Sequence, residues 1–241
     1  MLAIAAAVLP ADAAEFVAEV KWDGLRACVA VAGERVRAWF RNGRDITAVY
    51  PGLGALAAVA GRRTAVLDGE IVALSGPRPD FTVLQRRMRG SRPGAGLLAA
   101  VPVTLIIFDV LRSGREDLAG RPYVLRRALL EDLGLQVPGS VQVPPALPGD
   151  AAALLAAIRA QDLEGIVLKR PASLYHPGRR TRAWLKIRNI RAPRCGSAAG
   201  SPAPAPARTW PVQSSWACPG RARWSSRARS GAACRWRSCA S

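Results

Sequence analysis

Apolar and β-branched residues gather in short runs at Glu15 to Val20, Ala27 to Val31 and Arg35 to Phe40, and the last alternates polar with apolar as a half-buried strand does. Gly33-Glu34 joins the second and third runs as a tight turn, and Asn42-Gly43 turns the chain again after the third. A helix is expected around Leu53 to Ala60, then strands over Ala65 to Leu74 and Val103 to Leu111. Helices near Val124 to Leu133 and Ala151 to Ala160 precede strands at Gly165 to Lys169 and Ala183 to Ile187. Strands and helices mix without a strict βαβ rhythm, which predicts an α+β fold with antiparallel pairing. No internal repeat is visible.

The pattern stops after Ile190. Beyond it there is no Asp or Glu, while four of the five Cys and four of the seven Trp gather among Pro-Ala repeats without apolar period. Such composition is not that of a segment selected to fold. We therefore divide the chain into an organised part, residues 1–190, and a basic tail, residues 191–241, that is either disordered or the product of a frameshift. Respelling the codons from Pro193 onward in another frame yields Glu-Val-Arg-Ile-Gly-Gly-Trp, a sensible strand and turn. The tail also alters the charge: of the net +18 over 241 residues, its nine Arg contribute half. Residues 1–190 keep 26 bases against 17 acids, a net +9 that still favours a polyanionic partner.

No run of uncharged apolar residues reaches membrane-spanning length, and the apolar start from Met1 to Pro10 has no basic leader, so a cytoplasmic protein is expected, without membrane association. Five cysteines without paired spacing and a single histidine, His176, exclude a disulfide framework and a zinc site and predict free thiols.

Only three of the 35 basic residues are Lys, and each stands in a chemically suggestive string. They are Lys21 in Lys-Trp-Asp-Gly-Leu-Arg, Lys169 in Glu-Gly-Ile-Val-Leu-Lys and Lys186 in Trp-Leu-Lys-Ile-Arg. In a chain that otherwise uses Arg, a retained Lys marks work that guanidinium cannot do: attack as a neutral amine, or act as a compact charge on a phosphate. Lys21 follows a strand, so its amine is expected in a loop at the sheet's end, with Gly24 allowing a ligand to approach the backbone. Other strings add to these: Phe40-Arg41-Asn42-Gly43-Arg44, Leu67-Asp68-Gly69-Glu70 and Leu105-Ile106-Ile107-Phe108-Asp109. Converging cations with carboxylates, rather than His, suit in-line phosphoryl chemistry assisted by a hard divalent metal.

In order and spacing, these strings over residues 1–190 resemble the covalent nucleotidyltransferases, and most closely the ATP-dependent DNA ligases of the bacterial end-joining type. Phe81 to Arg87, Tyr123 to Arg127 and Tyr175 to Arg180 also match the ligase pattern. The resemblance implies an adenylation domain with antiparallel sheets around an ATP cleft, followed in relatives by an OB-fold that here is absent or frameshifted. It implies ATP as co-substrate with Mg²⁺ or Mn²⁺, and Lys21 as the nucleophile that carries AMP to the 5′-phosphate of nicked duplex DNA. It further implies that Glu19 contacts the adenine amino group and Phe108 stacks on adenine. Arg26 and Glu70 would meet the ribose and Arg41 the phosphates, while Lys169 and Lys186 would contact the α-phosphate. Glu164 would help hold the metal, and Asp23 would support a later transfer step. A Ku-like end-binding partner and a monomeric state belong to the same expectation. Two departures stand out: Phe40 where Ser usually precedes Arg-Asn-Gly, and Arg188 where a second Lys usually stands.

Two other readings compete: an RNA ligase or RNA-capping enzyme using the same lysine, and a non-catalytic basic nucleic-acid-binding remnant. The frameshift has its own check. Resequencing the gene is expected to return codons compatible with the alternative frame, and incompatible codons would dismiss the idea.

Overall fold

The fold comes from a computed structural model in which residues 1–76 and 78–189 are described, so the tail expectation lies outside the described residues. The strands are β1 (Leu2–Ala6), β2 (Val17–Val20), β3 (Leu25–Ala32), β4 (Arg35–Phe40), β5 (Thr64–Ser75), β6 (Arg78–Pro79), β7 (Val103–Ser113), β8 (Glu116–Asp117), β9 (Val141–Gln142), β10 (Leu147–Pro148), β11 (Gly165–Lys169) and β12 (Arg180–Arg188). The helices are α1 (Leu56–Ala60), α2 (Phe81–Met88), α3 (Ala95–Ala100), α4 (Tyr123–Asp132) and α5 (Ala151–Ala160).

Two sheets form. The smaller runs β1-β12-β11-β2-β10 and the larger β4-β3-β5-β7-β8, with β6 against β5 and β9 against β7. Pairing is antiparallel, as expected from the sequence, except that β1 lies parallel to β12 and β9 parallel to β7. Several differences from the sequence reading have local causes. The strand expected from Glu15 starts at Val17, because Ala13–Glu15 close a 3-10 turn. The helix expected from Leu53 begins as a 3-10 turn at Pro51–Ala55 and becomes α-helical only at Leu56. Strand β1 was missed because its Ala-rich text carries no alternation, and it is recruited by pairing with β12. Helix α2 was missed although Asp80 caps it, accepting from Val83 N at 3.0 Å.

Each sheet keeps one face for a core. In the larger sheet Ala27, Val29 and Val31 of β3 join Leu67 and Ile71 of β5 and Leu105 and Ile107 of β7, covered by Leu56, Leu84 and Leu130 from three helices. In the smaller, Phe16, Ala18, Ile166, Leu168 and Ile187 pack on Ala151, Leu155 and Ile158 of α5. Alternation then sends the other set of side chains to the opposite face: Glu19 from β2, Val167 and Lys169 from β11, Trp184 and Lys186 from β12. That second face turns toward the larger sheet, where Met1, Tyr175 and Trp184 gather with Phe108 and Leu111.

Gly24 has a reason within the fold: a Cβ there would lie 2.4 Å from the Ile71 carbonyl oxygen, so the glycine serves the close approach of β5. Arg126 on α4 grips Asp109 of β7 in a two-pronged pair, 2.7 and 2.8 Å, with both side chains fully buried. Removing one partner of such a pair leaves an uncompensated charge, so Arg126→Met is expected to lower stability by about 3–5 kcal/mol. Urea denaturation measures this; a loss below about 1 kcal/mol would place the pair in solvent-like surroundings.

Candidate nucleotide site

Lys21 leaves the end of β2 with its backbone N–H bonded to Gly165 O at 2.9 Å, which fixes the lysine beside the start of β11. Its Nζ lies 2.5 Å from Glu164 Oε2, and both side chains are partly exposed. Glu164 is held in turn by its backbone carbonyl, which accepts from Asn189 N at 2.8 Å; its Oε1 stands 3.9 Å from Arg188 Nε. Lys186, opposite Val167 on β12, completes the group. Burial lowers its pKa, and the nearby charges of Arg188 and Lys21 push it the same way. The structure thus brings Lys21, Glu164 and Lys186 together at one margin of the smaller sheet.

Across from them the larger sheet presents Arg26 and Glu70, directly opposed in the β3–β5 ladder. Arg26 binds Asp68 through Nε at 2.9 Å and Nη2 at 2.5 Å, while the Tyr175 hydroxyl donates to Asp68 Oδ2 at 2.7 Å. Burial alone would raise the Asp68 carboxyl, yet Arg26 and these hydrogen bonds hold it below the ordinary value. Glu70 goes the other way. Burial raises it from 4.5 to about 8, against the pull of Arg26 and Lys21, so at neutral pH its carboxyl carries a proton and can donate a hydrogen bond.

Phe108 owes its direction to an irregularity. Gly69 of β5 pairs with Ile107 and Asp68 with Asp109, leaving Phe108 opposite no residue, a bulge that re-aims the side chain. A Cβ on Gly69 would meet the Ile106 carbonyl oxygen at 2.6 Å, so that glycine keeps the two strands in contact beside the bulge. The Phe108 ring meets Trp184 edge-on, centroids 6.4 Å apart, and the Arg26 guanidinium lies 5.4 Å from its centre.

Glu19 and Lys169 sit deeper. Lys169 Nζ lies 2.7 Å from Glu19 Oε2, and the Tyr123 hydroxyl donates to Glu19 Oε1. Burial lowers the Lys169 pKa, against the attraction of Glu19. Lys169 shares the cleft face with Lys186, diagonally across the β11–β12 ladder, and its cation is enclosed and engaged by Glu19. Asp23 and Arg41 are exposed in the loops after β2 and β4, at the rim. Asp68, Tyr123, Trp184 and Tyr175 stand in strings singled out in the sequence but were assigned no individual role there. Tyr123 and Tyr175 open two of the ligase-like strings, but only the fold shows that they face Glu19 and Asp68.

A family model described as the ATP-dependent DNA ligase domain matches residues 1–188. The chain belongs to that family. A multifunctional non-homologous end-joining DNA repair protein, LigD of Mycobacterium tuberculosis, is 40% identical to it over 187 residues, 77% of this chain and 23% of LigD. A probable DNA ligase of Streptomyces griseus is 40% identical over 181 residues, 71% of this chain and 35% of that protein. Among solved structures, mycobacterial DNA ligase D complexed with ATP superposes with a TM-score of 0.64 at 36% identity, covering 79% of this chain and 61% of that one. The chain thus spans about a quarter to a third of the length of these curated relatives. The nucleotidyltransferase architecture expected for a ligase domain is the one observed. Cys28, the cysteine among the described residues, is a free thiol as expected.

The ligase-domain site carries a titration signature. With its folded pKa raised to about 8, Glu70 binds a proton more tightly folded than unfolded, so its burial costs nothing below pH 4.5 and destabilises increasingly as pH rises toward 8. Glu70→Gln is expected to flatten that decline, read as urea midpoints at several pH values between 4 and 9; an unchanged slope would remove Glu70 as its source.

Proposed function

We propose that this chain is the nucleotide-charging part of an ATP-dependent DNA ligase, with Lys21 as the residue that becomes adenylylated. The observation that carries the reading is the convergence of Lys21 Nζ, Glu164 and Lys186 at one sheet margin, facing Arg26, Glu70 and the bulged Phe108.

In this reading Phe108 stacks on adenine, Glu19 lies at the base end, and Arg26 and Glu70 address the ribose, Glu70 as a protonated carboxyl. Lys186 neutralises the α-phosphate, and Arg41 at the rim meets the phosphates. The ammonium of Lys21 sheds a proton, Nζ attacks the α-phosphorus, and a P–N bond forms as the bond to the pyrophosphate oxygen breaks. A second proton leaves the nitrogen as the phosphoramidate forms. AMP then passes to a 5′-phosphate, a step in which the exposed Asp23 has access to the incoming strand.

Among the described residues no three acidic, His or Cys side chains converge into a cage for a metal. The protein does offer Glu164, whose Oε1 has only Arg188 at 3.9 Å. One carboxylate plus substrate phosphates suits Mg²⁺ or Mn²⁺, which would supply charge neutralisation on the triphosphate.

Nicked duplex DNA as acceptor is supported by the surface beside the cleft. The face that carries Arg26 continues across the larger sheet: Trp39 lies opposite Cys28, Arg37 opposite Ala30 and Arg35 opposite Ala32. The exposed Arg35, with Arg37 held by Asp45 beside the Trp39 ring and small residues opposite, fits a phosphodiester backbone. A Ku-like partner, action as a monomer and a cytoplasmic location complete the proposal. Among the described residues no helix is long and apolar enough to cross a membrane.

ATP labelled at the α-phosphate tests the proposal. Covalent label is expected on the wild type, none on Lys21→Ala, and transfer to nicked DNA in preference to RNA, with GTP a poor donor; label persisting in Lys21→Ala would refute it.

A further inference from the structure

Lys169 is held in a way that a phosphate ligand is not. The residue is 1% exposed. Its Nζ contacts Glu19 Oε2 at 2.7 Å and donates to the Phe108 carbonyl at 3.1 Å. The ammonium lies 4.4 Å from the Trp184 ring centre and 4.8 Å from those of Tyr123 and Phe108, so three rings close around it. An ammonium has three donor hydrogens; two are directed at oxygen and the rest of its surroundings are aromatic faces. To reach a phosphate it would have to abandon a buried carboxylate.

The register points the same way. Lys169 pairs with Trp184, whereas Lys186 pairs with Val167, so the two lysines occupy successive rows of the cleft face. Lys186 shares its row with Val167 near Lys21 and Glu164, while Lys169 lies one row inward, beneath the Phe108 bulge. Glu19 opposes Val167 from β2, and its carboxylate is anchored from behind by Lys169 on one oxygen and by the Tyr123 hydroxyl on the other. Arg127 Nη1 stands 3.8 Å from that second oxygen. A carboxylate has about four acceptor sites, so acceptor capacity remains for a further donor.

We propose that Lys169 is a positioning residue for the purine base and not a phosphate ligand. It fixes the carboxylate of Glu19 and, through the carbonyl oxygen, the bulged Phe108, so that an acceptor and a ring present a fixed geometry to the base; Tyr123 completes the anchor. A 6-amino purine brings a donor to that carboxylate, and a 6-oxo purine brings an acceptor that it repels. Retention of Lys in an arginine-dominated chain follows, because a planar guanidinium does not fit a box sized for a point charge. The inference rests on the ATP-charging reading above.

The test compares Lys21 labelling of the full chain by ATP and by ITP, each carrying label at the α-phosphate, in wild type, Lys169→Met, Tyr123→Phe and Lys186→Met. Lys169→Met is expected to raise KM for ATP by about tenfold or more, to change the saturated rate little, and to erode the preference for ATP over ITP. Tyr123→Phe, which removes one oxygen and keeps the ring, shifts preference in the same direction and guards against a folding failure in Lys169→Met. Lys186→Met lowers the saturated rate and leaves the preference intact. Lys169→Met behaving like Lys186→Met would make it a phosphate ligand, and Lys169→Met or Tyr123→Phe matching wild type would remove the positioning role; either overturns the proposal. If wild type takes no label, or Lys21→Ala does, the charging reading fails instead. Equilibrium binding of ATP and ITP, followed by tryptophan fluorescence, then decides: a preference lost in Lys169→Met upholds the positioning role, and equal binding by both proteins, or none, overturns it.

Discussion

The two sheets are joined where a lysine ammonium lies between a carboxylate of its own sheet and a carbonyl oxygen of the other. Lys169 bonds Glu19 across the smaller sheet and the Phe108 carbonyl across the gap, and the rings of Trp184, Tyr123 and Phe108 seal the joint from water. Burying a charge is costly unless it is paired and hydrogen-bonded, and here it is both. The same contacts hold the bulge of β7 and the carboxylate of β2 in one frame. The geometry of the proposed base subsite is therefore inseparable from the packing of the two sheets.

Around that joint the cleft divides by solvation. At the closed end lie the fully buried Arg126–Asp109 pair and the buried Asp68 and Tyr175, with the partly exposed Arg26 bonded to Asp68. At the open end, Lys21, Glu164 and Lys186 are only partly covered. A dry end with a fixed carboxylate suits selection of a base, since hydrogen bonds made or missed there are not exchanged with water. A wet end with movable cations suits a triphosphate and a metal, which arrive hydrated. Glu70 lies between the two, and burial keeps its carboxyl protonated at neutral pH.

Much of this was legible in the residues. The bounds of β4, β11 and α5 coincide with the runs read from pattern, because each has an alternation, a short continuous apolar run or an uninterrupted helical text. The β1 strand was not legible: Leu2–Ala6 has no two-residue alternation, and only its pairing with β12 defines it. Helix α2 was hidden by its arginines, one of which, Arg87, is buried and donates to the carbonyls of Val101 and Val49 at 2.7 Å. Arg87 is a structural tie, a use of guanidinium that no local pattern announces.

By itself the sequence determined the chemistry available: three lysines in an arginine-rich chain, carboxylates set among apolar strands, and the order of strings that marks the ligase-domain family. Those are properties of residue type and spacing, which survive in any conformation. Tertiary structure decided which lysine faces which partner. Lys169 and Lys186 looked equivalent in the chain, but strand register sends one beneath Phe108 to Glu19 and leaves the other beside Lys21. It also decided that Gly24 makes room for β5 and that a bulge aims Phe108. Such outcomes depend on contacts between residues far apart in sequence, and register is fixed by which face of each strand the core buries.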